Sequence, residues 1–110
     1  SDGESASVSG GLNNIASGNH TSVAGGSDNQ AKGMSSFVAG GFGNVASGSH
    51  ASVLGGTENE AASFYSSVSG GKKNKAFSPS SSVTGGYNNS ASDGESASVS
   101  GGLNNIASGN

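Results

Sequence analysis

Valine stands at positions 8, 23, 38, 53, 68 and 83, always 15 residues apart, and again at 99 after a step of 16. Each valine is followed by x-Gly-Gly. Six residues after each comes asparagine (Asn14, Asn29, Asn44, Asn59, Asn74, Asn89, Asn105), and two further on comes alanine (Ala16, Ala31, Ala46, Ala61, Ala76, Ala91, Ala107). The unit is S-V-x-G-G-x-x-N-x-A-x-G-x-x-x. A fixed short period of this kind marks a repeat architecture in which each unit packs only on its neighbours. Fifteen residues are too few for a helix pair and suit one turn of a β-solenoid. The segments S-V-x-G and N-x-A-x alternate with period two, so each half of the unit predicts a strand of three or four residues. Gly-Gly and G-x-x-x supply two corners, where positive φ or close backbone approach is needed.

A longer repeat lies over the short one. The first 19 residues, SDGESASVSGGLNNIASGN, recur at 92–110. The block is therefore residues 1–91, five units of 15 and one of 16, and the next copy begins at 92. The extra residue falls in ASDGESASV, where the Asp93-Gly94 pair suits a widened turn. Residues 1–110 are expected to form one segment, a window of a longer tandem array. Coils in register stack about 4.8 Å apart, so six steps advance about 29 Å. Val8, Val23, Val38, Val53, Val68, Val83 and Val99 with the alanine row form a thin interior, which favours a flattened two-sided roll. The expected class is all-β: a parallel β-solenoid of about seven 15-residue coils.

In-register stacking places Glu58 and Glu60 beside Lys73 and Lys75, one coil on. Opposite charges meet where like charges would repel, which supports the register. The recurring Asn predicts a ladder in which each side-chain amide bonds the next coil's amide or a turn carbonyl, unless Asn serves only as a turn former. Gly is 21 of 110 residues, 30% of the chain is hydrophobic and 10% is charged, so no thick core forms. Gly/Ser-rich chains are often flexible coil, but a net charge of −3 with scattered signs and a strict period argue against disorder here.

The string S-V-A-G-G with N-x-A-x-G resembles the repeats of the YadA-like heads of trimeric autotransporter adhesins. Ser22-Val23-Ala24 with Gly26, Ala31 and Gly33, and Ser52-Val53 with Gly56 and Ala61, carry the match, which runs through all seven units. The resemblance implies a left-handed parallel β-roll, association as a homotrimer, and an adhesive role on the bacterial cell surface. The outer-membrane anchor would lie in regions outside this chain. Two departures stand out. The apolar slot that holds Ile in those heads is Gly10, Gly25, Gly40, Gly55, Gly70, Gly85 and Gly101 here, and the unit is one residue longer.

One thin roll buries little apolar area, which independently favours association. The larger side chains Leu12, Ile15, Phe42, Val45, Tyr87, Leu103 and Ile106 fall on one side of successive coils and are the candidate subunit interface. Surface decoration and lateral filament contacts are the alternatives, because Ser27/Gln30, Thr57/Glu60 and Lys72/Lys75 interrupt the stripe. Phe37, Phe64, Tyr65 and Phe77 are expected to cover corners.

Chemistry is sparse. His20 and His50 share a unit position two coils apart, about 10 Å, too far for both to ligate one metal. Asp2/Glu4 and Asp93/Glu95 flank the widened turn and are expected to be solvated. The absence of Cys removes thiol and disulfide chemistry. Four lysines and a pI near 5.0 argue against nucleic-acid binding. No apolar run approaches a membrane span, and any secretion signal is expected outside this window. The sequons Asn19-His20-Thr21 and Asn88-Asn89-Ser90 follow from composition alone.

The expectation is a non-enzymatic, cofactor-free structural or adhesive segment of a bacterial surface fibre, meeting host matrix, other cells or abiotic material. The alternative is a self-assembling extracellular filament or sheath of stacked rolls. An ice-binding solenoid is less favoured. The residue before Val is Ser7, Ser22, Ser52, Ser67, Ser82 or Ser98 but Phe37 in the third coil, not a regular Thr array.

Overall fold

The computed structural model describes residues 5–92 and 96–107. The widened turn at Asp93-Gly94 and the acidic pairs Asp2/Glu4 and Asp93/Glu95 lie outside the described residues. Each coil contributes two short strands. The first set is Ser7–Val8 (β1), Ser22–Val23 (β3), Phe37–Val38 (β5), Ser52–Val53 (β7), Ser67–Val68 (β9), Ser82–Val83 (β11) and Ser98–Val99 (β13). The second set is Ile15–Ala16 (β2), Gln30–Ala31 (β4), Val45–Ala46 (β6), Glu60–Ala61 (β8), Lys75–Ala76 (β10), Ser90–Ala91 (β12) and Ile106–Ala107 (β14). The odd strands form one seven-stranded sheet and the even strands another, each stacked in chain order. The chain is thus an all-β parallel solenoid of about seven turns.

Pairing is parallel, and like residues meet: Val23 is level with Val38, Ala31 with Ala46, and Val83 with Val99 across the 16-residue step. A third ladder of single bridges runs Leu12–Ser27–Phe42–Thr57–Lys72–Tyr87–Leu103. The Cα extents are 35 × 21 × 12 Å, a flattened rod.

The strands are two residues long, shorter than the alternation in S-V-x-G predicts. Backbone turning is the reason. Three residues per coil hold positive φ, as in the third, where Gly41 stands at 95°, Gly43 at 67° and His50 at 58°. Gly41 and Gly43 flank the bridge residue Phe42, so the chain bends twice around it and the ladder narrows there to one residue. Asn13, Asp28, Asn88 and Asn104 share the Gly43 slot, all types that tolerate this conformation. Glu58 and Lys73 hold it as well.

The interior is one side chain thick. Val23, Val38, Val53, Val68 and Val83 enter from one sheet, and Ala16, Ala31, Ala46, Ala61, Ala76 and Ala91 from the other, all fully buried. The end coils have one neighbour instead of two, and there Val8 is 38% exposed and Ala107 half-buried. A further buried row, Thr21, Ser36, Ala51, Ser66, Ser81 and Ala97, closes the G-x-x-x corner from within. Its hydroxyls bond locally: Thr21 Oγ1 donates to Gly18 O at 2.8 Å and Ser66 Oγ to Ser63 O at 2.7 Å. Ser36 Oγ is buried without a partner. Because Ala51 fills the equivalent slot one coil on, Ser36→Ala is expected to stabilise the roll by about 1 kcal/mol, the desolvation cost of one orphaned hydroxyl. A urea midpoint that falls in this variant would sink that expectation.

Candidate functional site

The Asn row is a continuous buried ladder. Asn44 Nδ2 donates to Gly40 O in its own coil at 2.8 Å and to Gly56 O in the next at 3.0 Å. Its Oδ1 accepts the Asn59 backbone N–H at 2.9 Å, and its own N–H donates to Asn29 Oδ1 at 2.9 Å. Asn29, Asn59, Asn74 and Asn89 repeat this set. Both polar ends of the amide are used, so these five side chains are buried at little desolvation cost. In the end coils Asn14 is half-buried and Asn105 exposed. Both parts of the expectation meet in one side chain, which bonds the neighbouring amide and two turn carbonyls.

The large side chains stand outside. Leu12, Ile15, Phe42, Tyr87, Leu103 and Ile106 are exposed on the single chain and Val45 is half-buried. They sit in two adjacent rows, one along the bridge ladder and one on the outer side of the even strands. Coils one, three and seven are apolar in both rows and coil six pairs Tyr87 with Ser90, whereas coils two, four and five carry Ser27, Gln30, Thr57, Glu60, Lys72 and Lys75. Lys72 Nζ lies 6.0 Å from the Tyr87 ring centre, so its stem continues the stripe from the charged coils to the aromatic one.

The acidic coil lies directly against the basic one. Lys75 is the strand partner of Glu60. Lys73 N donates to Thr57 O at 2.9 Å, which brings Glu58 and Lys73 to neighbouring turn positions. An ion pair formed at this exposure would be worth a few tenths of a kcal/mol.

The G-x-x-x corner carries the other exposed side chains. His50 and Tyr65 stack across one coil step, ring centres 5.0 Å apart and planes within 6°. Tyr65 is exposed, as are Met34 and Phe64 in the same corner rows. Phe64 and Tyr65 thus project from the corner rather than covering it. Phe77 is exposed next to β10 with Lys75 Nζ at 5.7 Å from its ring, and Phe37 lies half-buried in β5. Sequence reasoning did not single out the Thr21–Ala97 row or the pairing of His50 with Tyr65. The signal was present: small residues fill that row in every coil, and aromatic rings fall one period apart.

Among the described residues no group of three or more His, Cys, Asp or Glu is placed to hold a metal ion. No helix among them is long and apolar enough to cross a membrane. No family model and no curated protein matches the chain.

Proposed function

We propose that this chain is a rigid, non-enzymatic segment of a bacterial cell-surface fibre, an adhesin head or stalk exposed outside the cell. One observation supports it above the others: the Asn and Val rows stay in register through all seven coils, buried between the end coils, and the seventh coil repeats the first. Successive blocks can then join with the register they already have, so repetition makes length. Hydrogen bonds between coils make stiffness, and the variable outer positions present a surface to matrix, cells or abiotic material. In this reading the roll is left-handed and three copies associate in parallel. The unpartnered stripe of Leu12, Ile15, Phe42, Val45, Tyr87, Leu103 and Ile106 forms their contact. The anchor lies in other parts of the fibre.

Sedimentation over a wide concentration range tests this. The expected result is a species of three times the 10.4-kDa chain that persists on dilution. An open-ended distribution growing with concentration would assign the chain instead to a filament of rolls stacked end to end. A folded monomer would count against both.

A further inference from the structure

The corner at Tyr65 breaks a local rule without gaining burial. Tyr65 holds φ 56°, a conformation costly for a bulky side chain, and is 64% exposed. The equivalent slots hold Ser5, His20, Ser35, His50, Ser80 and Ser96, so the fold asks only for a small or turn-tolerant residue there. A residue that costs local stability and adds no core contact points to a role outside the fold.

Its surroundings define the chemistry. His50 covers one face of the Tyr65 ring. The opposite face looks along the rod toward the next coil, where register places Ser80, whose N–H donates to Phe64 O at 2.8 Å. Ser96 follows one coil further, its N–H donating to Pro79 O at 3.0 Å. The side chains that register places on that side are the small, exposed serines Ser80 and Ser96, with exposed Phe64 alongside. Among the described residues of coils three to six, every Lys, Asp and Glu stands in the rows of Leu12 to Ile15, beyond the even strands. Among the described residues the notch is therefore aromatic and hydroxyl-lined and holds no carboxylate or ammonium group.

We propose that this notch binds a neutral glycan, with the C–H face of one sugar ring stacked on the open face of Tyr65 and its hydroxyls bonded to Ser80 and Ser96. Among the described residues of this corner an anionic or cationic polymer would find no ammonium or carboxylate counter-charge. A peptide adding as a strand would find the backbone N–H groups of Tyr65 and Ser80 already donating between coils. The proposal rests on the adhesive reading and names its ligand class.

Native affinity electrophoresis of the full chain in gels containing galactomannan, hydroxyethyl cellulose or glycogen tests it, with dextran sulfate as the anionic arm. The expected result is retardation in at least one neutral gel, weakened about tenfold by Tyr65→Ser, the scale of one lost stacking contact. Tyr65→Phe keeps the ring and stays within about twofold of the parent. Serine already occupies this slot in neighbouring coils, so Tyr65→Ser is expected to fold, which circular dichroism checks. No retardation in any neutral gel, retardation by dextran sulfate alone, or full retardation of Tyr65→Ser would each overturn the proposal. Cells displaying the chain separate this failure from that of the adhesive reading. If they still adhere while the chain ignores every neutral glycan, only the notch falls; if they do not adhere, both fall.

Discussion

Replacing Asn44 by alanine is expected to destabilise the roll by about 3–4 kcal/mol, although the side chain is polar and the substitution adds no bulk. The cost comes from the groups left behind. Gly40 O loses the amide at 2.8 Å, and the Asn59 N–H loses its acceptor at 2.9 Å. The Asn59 N–H is buried and the Gly40 carbonyl part-buried, and orphaning such groups costs about 1–3 kcal/mol each. Gly56 O is affected less, since it also accepts the Phe42 N–H at 2.9 Å. Asn44→Asp is a sharper test of the same contacts. It preserves shape and the acceptor for Asn59, but turns an anionic oxygen toward two carbonyls. Burial and like partial charges then favour the protonated acid, so this variant should be more stable near pH 4 than near pH 7, the reverse of a salt-bridged carboxylate. Urea unfolding at the two pH values reads both effects. A loss below about 1 kcal/mol for Asn44→Ala would mean that Asn serves only as a turn former.

Much of this arrangement is legible in the letters, because a strict period converts one coil's reading into seven. The inward Val and Ala rows and the pairing of Glu60 with Lys75 follow from counting in fifteens. Strand length does not follow. Alternation in S-V-x-G looks like four extended residues, but positive φ at Gly41 and Gly43 ends the extension and isolates Phe42 as a bridge. The Gly43 row could have been read, since Asn, Asp or Gly fill five of its seven places. The buried Thr21–Ala97 row was masked by its own chemistry. Ser and Thr beside Gly look like solvated turn residues, yet hydroxyls such as Thr21 Oγ1 and Ser66 Oγ bond back to a nearby carbonyl and go inside. The outer face was legible as a stripe of large residues, but the letters of one coil do not say what meets it.

The two glycines of each pair, identical in sequence, are expected to respond in opposite ways to the same methyl group. Gly41→Ala should cost more than about 4 kcal/mol, at the extreme of single substitutions. Gly41 holds φ 95°, and an added Cβ would overlap the Gly56 carbonyl oxygen and lie 2.9 Å from Gly56 N. Those are backbone atoms of the next coil, fixed by the ladder, so nothing flexible can yield. At Gly40 the backbone is not left-handed, and an added Cβ would meet nothing within 4 Å. Gly40→Ala should therefore stabilise a lone roll by about 0.4–1 kcal/mol, by narrowing the unfolded ensemble. Thermal unfolding of the two variants side by side checks the contrast. Equal losses would mean that the coils approach less closely than the Gly41–Gly56 contact requires. Gly40 also belongs to a glycine row, Gly10 to Gly85, in which each added Cβ would meet nothing within 4 Å. If Gly40→Ala leaves the melting of the roll intact but lowers its sedimenting mass, another chain lies against that glycine row. The subunit contact would then belong there, and the Leu12–Ile106 stripe would be free to face outward.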